Sequence, residues 1–240
     1  MKMQATPTKI YIILFSHFGQ QDWWPMDKIY HKKQNSDPRF EVIIGAILTQ
    51  NTTWSNVEKA IENLKKENIL SIKKINDIDY STLKTLIKPS GFFIQKADRL
   101  KTISKFIQET HNGNLDDMFS QSYQFLRKDL LLLNGIGPET ADSILLYAGC
   151  KPVFVVDAYT KRLCSKLSLQ VNAASYEAIQ HYFQQDLSNH YDHETIISIY
   201  NECHAVIVEW AKRYCLKRNP RCKNCPLRIP CTYQQNNNSE

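Results

Sequence analysis

The sequence predicts an almost entirely α-helical protein, and three observations point to that class. Apolar residues recur at helical spacing along most of the chain, as in Val57, Ile61 and Leu64. Glycine is scarce, with seven residues among 240, and alternating strand patterns are rare. Helix-breaking residues such as Pro89 and Gly91 separate the periodic segments. We therefore expect about ten helices.

Composition indicates a soluble globular protein with a basic C-terminal segment. Hydrophobic residues make up 42% of the chain and charged residues 22%, and no run approaches the roughly 18 apolar residues of a membrane span. The apolar residues 10–15 are interpreted as a buried helix rather than a signal peptide, so a cytoplasmic location is expected. Residues 210–239 contain seven basic and no acidic side chains, which favours contact with a polyanion or, alternatively, a solvated basic tail.

A short turn between two helical segments has the composition of a phosphate-binding hairpin. The turn contains Gly135, Ile136 and Gly137. Glycine permits positive φ and close backbone approach, and exposed amides at a helix N-terminus bind phosphate without reading base sequence. Pro138 suits the first turn of the following helix. A simple helix–turn–helix connection is the alternative.

An aspartate ends the best strand-like run of the chain. Residues 153–156 are interpreted as an extended connector that delivers Asp157 to the start of the next helix. Such an acid lies at a partly desolvated edge, or it serves only as an N-cap. Because Asp157 follows Gly137 by 20 residues, the combination is more specific than either motif alone.

Seven cysteines occur without an export signal, so the odd count argues against a disulfide framework. Four of them lie within 17 residues, a density that indicates metal or cluster ligation. The other three, Cys150, Cys164 and Cys203, are expected in the core.

The hairpin and Asp157 together resemble the signature of the endonuclease III superfamily of DNA glycosylases. The loop containing Gln50 resembles the family segment whose glutamine fills the gap left by an extruded base, and the resemblance runs from about residue 40 to residue 231. The resemblance implies contact with double-stranded DNA that contains a damaged base. The residues implied in DNA binding are Gln50, Gly135, Ile136, Gly137 and Thr140.

The resemblance also implies base excision as the reaction. Such enzymes flip a base out of the duplex and break its N-glycosidic bond. A buried carboxylate stabilises the positive charge that develops on the sugar, and we assign this role to Asp157. In bifunctional members a lysine two residues after the second hairpin glycine forms a Schiff base, whereas Glu139 stands here. We therefore predict base release without lyase activity. Glu139 is either catalytic or only an acid that stabilises the first turn of its helix. If lyase activity is present, Lys151 or Lys161 is the alternative amine.

Within the superfamily the sequence resembles bacterial 3-methyladenine DNA glycosylases of endonuclease III type. The resemblance implies a base pocket formed by Trp24, Pro25 and Trp54, while Trp23 is assigned to the core. Alkylated purines are cationic, so an aromatic face attracts them by stacking and cation–π interaction. Ordinary core positions are the alternative for these tryptophans. The best-known members of this subfamily lack the four clustered cysteines.

The cysteine spacing, Cys-x6-Cys-x2-Cys-x5-Cys, resembles the iron–sulfur loop of endonuclease III. It implies a [4Fe–4S] cluster, and a structural zinc site is the alternative. The implied ligands are Cys215, Cys222, Cys225 and Cys231.

Two helical lobes are expected for a helix-hairpin-helix glycosylase with a C-terminal iron–sulfur loop. One is a helical barrel over residues 36–150, and the other combines residues 1–35 with 151–240. The protein is expected to be a monomer that binds DNA across the cleft between the lobes, with Asp157 at the bottom of that cleft. The predicted activity is monofunctional excision of alkylated purines such as 3-methyladenine. The alternatives are an oxidised-pyrimidine glycosylase with lyase activity and a non-catalytic DNA-binding or redox-sensing module.

Overall fold

The computed structural model describes residues 5–233, which contain thirteen α-helices and no β-strand. The all-α class is therefore confirmed. More helices are present than the roughly ten expected, because several have only six to eight residues, too few to show a clear periodicity. The helices are α1 Pro7–Phe18, α2 Lys28–Gln34, α3 Arg39–Leu48, α4 Trp54–Lys66, α5 Ile72–Asp77, α6 Tyr80–Ile87, α7 Phe93–His111, α8 Leu115–Ser120, α9 Tyr123–Leu132, α10 Pro138–Ser143, α11 Ala158–Lys166, α12 Tyr176–Ser188 and α13 Ile196–Arg213.

The chain divides into two units. The central unit spans Trp24–Lys151, and the terminal unit combines the residues up to Trp23 with those from Pro152 onward. The lobe boundaries expected at residues 35 and 150 stay a prediction. Between residues 5 and 233, no helix is both long enough and apolar enough to cross a lipid bilayer.

The central unit is organised around α3, which is buried along nearly its whole length. Apart from Arg39 and Glu41 in its first turn, the helix is apolar, as expected for a helix surrounded by others. It packs against α4, α7, α10 and a π-helical segment, Ile144–Ala148, that directly continues α10. The C-terminal end of α3 is therefore held firmly, and it delivers Gln50 two residues beyond the last helical position.

The terminal unit is organised around α13, which packs against α1, α11 and α12. The predicted extended connector runs through its core, with Val153 to Val156 all buried. No strand pairs with this segment, so its backbone needs side-chain partners. The backbone carbonyl of Phe154 accepts a hydrogen bond from the side-chain amide of Gln180 at 2.7 Å, and the backbone N–H of Phe154 donates to the side-chain oxygen of Gln184 at 2.9 Å. These bonds fix the chain just before Asp157.

Candidate functional site

The turn between α9 and α10 has the predicted hairpin geometry. Gly135 has a φ of +80°, in the left-handed region that favours glycine, while Gly137 caps α10 with extended backbone. Pro138 occupies the first turn of α10, as predicted. Ile136 is buried and anchors the turn. No atom lies within 4 Å of the position where a Cβ of Gly137 would stand, so the backbone there is open to an approaching group.

An ion pair ties the two helices of the hairpin together. Arg127 on α9 binds Asp142 on α10 through two hydrogen bonds of 2.6 and 3.0 Å, and the carboxylate is fully buried. Paired contacts of this kind fix geometry as well as adding stability. Glu139 is exposed in the first turn of α10, where an acidic side chain interacts favourably with the helix dipole.

Gln50 lies directly against the hairpin. Its amide nitrogen donates to the carbonyl oxygen of Gly135 at 3.1 Å and to the hydroxyl of Thr140 at 2.8 Å. The guanidinium of Arg99 on α7 donates to the amide oxygen of Gln50. The structure thus brings together three of the predicted DNA-binding residues, and it adds Arg99, for which the sequence carried no local signal.

A buried lysine connects the end of α3 to the turn before α7. The ammonium group of Lys96 donates to the carbonyl oxygens of Leu48 and Ser90, at 2.8 and 2.7 Å. Phe92, two residues after Ser90, has a φ of +46° and is 60% exposed. A bulky residue in the left-handed region is unusual, and this one combines that backbone with an exposed ring. Sequence reasoning missed Phe92, although an aromatic directly after a turn glycine was available as a signal.

Two of the three residues predicted for a base pocket are in contact. Trp24 packs edge-to-face against Trp54, with ring centroids 5.4 Å apart, and against Tyr147 at 5.2 Å. Trp24 also lies over Gly45 of α3, where a Cβ would stand 3.0 Å from its indole nitrogen. Trp54 is half-buried, and its indole donates to Glu58 at 2.9 Å. Pro25 follows Trp24 in the chain and is exposed.

Asp157 is the N-cap of α11 and is almost fully buried. One carboxylate oxygen accepts hydrogen bonds from the backbone and hydroxyl of Thr160, at 2.7 and 2.9 Å. The other lies 3.6 Å from Nε2 of His204 on α13. Burial by itself raises the pKa of the Asp157 carboxyl, but His204 and the Thr160 bonds outweigh it, and the pKa lies below its ordinary value. The carboxylate is therefore ionised at neutral pH.

His204 and Trp23 extend the surroundings of Asp157. The ring of Trp23 packs edge-to-face on His204 at 5.8 Å, and its carbonyl oxygen accepts from Asn201 at 2.8 Å. Trp23 is half-buried and so belongs to the wall beside the aspartate rather than to the core interior. Sequence reasoning missed His204 because it lies 47 residues from Asp157 and no motif links the two.

The four clustered cysteines surround one cavity of about 230 Å³ in the terminal unit. Four cysteine thiolates around one cavity are the ligand set that a [4Fe–4S] cluster takes, so the residues present fit that group. The indole of Trp210 donates to the sulfur of Cys225 at 3.2 Å, a bond typical of cluster surroundings. Four cationic side chains also line the cavity: Arg162, Lys166, Lys217 and Arg228.

The remaining cysteines divide into two kinds. Cys164 and Cys203 are buried, as predicted. The prediction for Cys150 is wrong, because this residue is exposed at the turn after the π-helical segment, with a φ of +49°. Residue type alone predicted burial, whereas the local backbone directs the side chain to solvent.

Comparison with known proteins identifies the family. Residues 44–188 match the model of the HhH-GPD superfamily base excision DNA repair proteins. The chain belongs to that superfamily. A protein of Methanocaldococcus jannaschii that carries the name of a DNA repair glycosylase is 46% identical over 225 residues, covering 93% of this chain and 94% of its own.

Two solved structures show the same fold as this HhH-GPD protein. The H. pylori 3-methyladenine DNA glycosylase bound to 1,N6-ethenoadenine has a TM-score of 0.70 and 30% identity, covering 87% of this chain and 98% of its own. A non-covalent endonuclease III–DNA complex has a TM-score of 0.73 and 18% identity, covering 98% and 100%. The chain is thus a base excision repair DNA glycosylase of HhH-GPD type, within the endonuclease III superfamily.

Proposed function

We propose that this glycosylase excises alkylated purines from double-stranded DNA and leaves an intact abasic strand. The observation that carries the proposal is the environment of Asp157. It is a buried carboxylate, held by Thr160 and His204, whose lowered pKa keeps it charged at neutral pH. A fixed negative charge in a desolvated place is what a reaction with a cationic sugar needs.

The reaction follows from that charge. As the bond between C1′ and the base nitrogen breaks, its electron pair leaves with the base and positive charge develops on the sugar. The Asp157 carboxylate stabilises this charge. Water then adds to C1′ and gives its proton to the carboxylate. An alkylated purine is cationic before the bond breaks, so it leaves as a neutral base and needs little acid assistance.

Aromatic side chains support an alkylated base as the substrate. Trp24 and Trp54 lie in edge-to-face contact, and Trp54 keeps part of its surface accessible. A tryptophan face attracts a cationic ring more strongly than a neutral one. The related H. pylori enzyme, a 3-methyladenine DNA glycosylase, supports the same substrate class.

The hairpin supplies contacts to the DNA backbone. Its open glycine turn suits a phosphate oxygen. Gln50 and the exposed ring of Phe92 are the side chains that enter the duplex, since apolar and amide groups can replace a base that has left the stack. Flipping then needs no recognition of base sequence beyond the lesion.

Glu139 is the reason for proposing base release alone. A lyase needs an amine to form an imine with C1′ of the sugar. The carboxylate at this position cannot form that bond, and its exposed place in the first turn of α10 suits a helix-stabilising acid. A lyase that used Lys151 or Lys161 is the competing possibility, and the experiment below separates the two.

Cys215, Cys222, Cys225 and Cys231 would hold a [4Fe–4S] cluster in the terminal unit. When bound, the cluster supplies a covalent cross-link between four points of the loop and a centre able to exchange one electron. The loop residues themselves would present basic side chains such as Arg221 and Lys223, both exposed, to DNA phosphates. The cluster takes no part in hydrolysis at C1′, for which Asp157 is the proposed catalytic residue.

The test compares the wild-type protein with Asp157→Asn on a duplex that contains one 3-methyladenine analogue. Asparagine keeps the oxygen that accepts from Thr160 and replaces the other oxygen, which faces His204, with an uncharged NH2 group. We expect a loss of roughly 10²- to 10³-fold in the single-turnover rate, the usual effect of removing one preorganised electrostatic contact. Strand cleavage should occur only after hot alkali, and borohydride should trap no covalent complex.

Asp192→Asn is the matched control. Asp192 accepts from the backbone and hydroxyl of Thr195, at 2.8 and 2.7 Å, as Asp157 does from Thr160, but it is exposed. Normal activity of this control with loss in Asp157→Asn assigns the effect to the buried charge. Full activity of Asp157→Asn refutes its catalytic role, and nicking without alkali refutes the monofunctional assignment.

A further inference from the structure

Arg99 connects the DNA-entering glutamine to the hairpin. It projects from α7 and its guanidinium donates to the amide oxygen of Gln50. The aliphatic part of the same side chain lies over Gly135, where a Cβ would stand 2.8 Å from Cγ and Cδ of Arg99. The absence of a side chain at position 135 is therefore what lets Arg99 reach Gln50.

Three hydrogen bonds determine the orientation of the Gln50 amide. Its nitrogen carries two hydrogens, and the structure provides two acceptors for them, the carbonyl of Gly135 and the hydroxyl of Thr140. A guanidinium can only donate, so Arg99 selects the oxygen end of the amide. Reversing the amide would place its NH2 group against Arg99 and its oxygen against the carbonyl of Gly135, which is unfavourable at both ends.

The bonded amide has one hydrogen-bonding position left. A carbonyl oxygen has two lone pairs, of which Arg99 uses one. Both amide hydrogens are already taken up within the protein. Gln50 thus presents an acceptor, and no donor, to a group that approaches it.

We propose that Arg99 is a positioning residue that acts through Gln50 and gives the enzyme a preference for the base opposite the lesion. The proposal rests on the proposed function, in which Gln50 fills the gap left by the flipped base. At the centre of their Watson–Crick edges thymine and guanine carry an N–H donor, whereas adenine and cytosine carry an acceptor. An acceptor on Gln50 favours orphan thymine or guanine. Thymine is the base that stands opposite an alkylated adenine.

The test measures binding to four duplexes that contain a stable abasic analogue opposite thymine, guanine, adenine or cytosine. We expect the wild-type protein to bind the thymine and guanine duplexes roughly five- to tenfold more tightly, as one additional hydrogen bond allows. Arg99→Met keeps the aliphatic packing on Gly135 and removes the donor, so this preference should be lost. Arg99→Lys, which retains a donor, should restore part of it.

A double-mutant cycle shows whether Arg99 acts through Gln50. Gln50→Ala should abolish the preference, and adding Arg99→Met to it should cause no further change in discrimination. Lys105→Met, on an exposed position of the same helix, controls for the loss of one positive charge. The control should weaken all four complexes equally, if it weakens any.

The contrary outcomes are distinct. Equal weakening of all four complexes by Arg99→Met would make Arg99 a phosphate contact and overturn the positioning role. If the wild-type protein instead prefers adenine or cytosine, and Arg99→Met loses that preference, the guanidinium itself contacts the opposite base. That result would also overturn the positioning role. If the wild-type protein binds none of the abasic duplexes more tightly than intact DNA, the proposed function fails first, and the role of Arg99 fails with it.

Discussion

The buried ammonium group of Lys96 makes the stability of this protein depend on alkaline pH in a predictable way. Its side chain is completely inaccessible to solvent, and no carboxylate of residues 5–233 forms an ion pair with it. Burial, with a smaller contribution from the nearby charge of Arg99, lowers the pKa of Lys96 from 10.5 to about 8. Charging this amine therefore costs the folded state more than the unfolded chain.

The size of the effect follows from the two pKa values. Below pH 8 the amine is protonated in both the folded and the unfolded state, and burying the charge lowers the stability of the folded state by its full amount. Between pH 8 and 10.5 the unfolded chain binds more protons than the folded one, so stability increases with pH. A difference of this size between the two pKa values corresponds to about 3 kcal/mol in the free energy of unfolding. The neutral amine still has two hydrogens for Leu48 and Ser90, so its contacts persist.

Lys96→Met isolates this contribution. The variant has no amine, so two buried carbonyl oxygens lose their donor, which lowers the free energy of unfolding by about 1–3 kcal/mol each. At neutral pH this loss is partly offset, because the variant no longer buries a charge. The unfolding free energy of wild type minus that of the variant should increase by about 3 kcal/mol from pH 8 to pH 10.5. Urea unfolding at a series of pH values measures it, and titration of other groups cancels in the difference.

Lys105→Met provides the reference, because Lys105 is exposed on the same helix. Its difference from wild type should stay flat over the same range. A flat difference for Lys96→Met as well would mean that Lys96 does not change protonation there, and the argument from burial would be wrong. A difference that narrows as pH rises would mean that the folded state favours the charged amine.

Three other residues give shorter predictions. His204→Gln should move the acidic limb of the rate–pH profile to higher pH, because His204 lowers the pKa of Asp157; an unchanged limb in single-turnover assays would contradict this. Trp210→Phe should shift the reduction potential of a bound cluster to more negative values, because it removes the hydrogen bond to Cys225, and voltammetry would show it. Gly135→Ala should lower the free energy of unfolding by at least 1–2 kcal/mol, from its left-handed backbone alone, and thermal unfolding would show whether it does.

The parts of the site that the sequence predicts are those that depend on neighbouring residues. A glycine turn followed by proline specifies a hairpin locally, and an aspartate after a buried run specifies a helix start. The contact between Lys96 and Leu48 joins residues that lie 48 positions apart. Arg99 and His204 are likewise distant in sequence from the groups they contact, 49 and 47 residues away respectively. Such pairs arise from packing, so composition and spacing carry no trace of them.

Candidate functional groups in both units stand at helix ends, and there is a physical reason for this. A helix leaves four amides at its start and four carbonyls at its end without partners inside the helix. Asp157 accepts from one free amide of α11, that of Thr160, and Lys96 donates to a free carbonyl at the end of α3. The hydrogen bonds that stabilise the helix ends thus also fix the positions of these polar side chains, and no additional contacts are needed to orient them.

This double role determines which substitutions are informative. Removing the whole side chain of Asp157 would lose both its charge and its helix cap, and a cap alone contributes about 1 kcal/mol. Loss of activity in Asp157→Ala would therefore mix catalysis with folding. Asparagine retains the oxygen that receives the Thr160 hydrogen bonds, so Asp157→Asn keeps the helix cap. The lowered pKa of Asp157 means that its charge stabilises the folded state at pH 7, so the variant should unfold at a lower urea midpoint than wild type. The rate loss is therefore measured in urea-free buffer at pH 7, where circular dichroism shows the variant to be fully folded, and it then reports on the carboxylate rather than on unfolding.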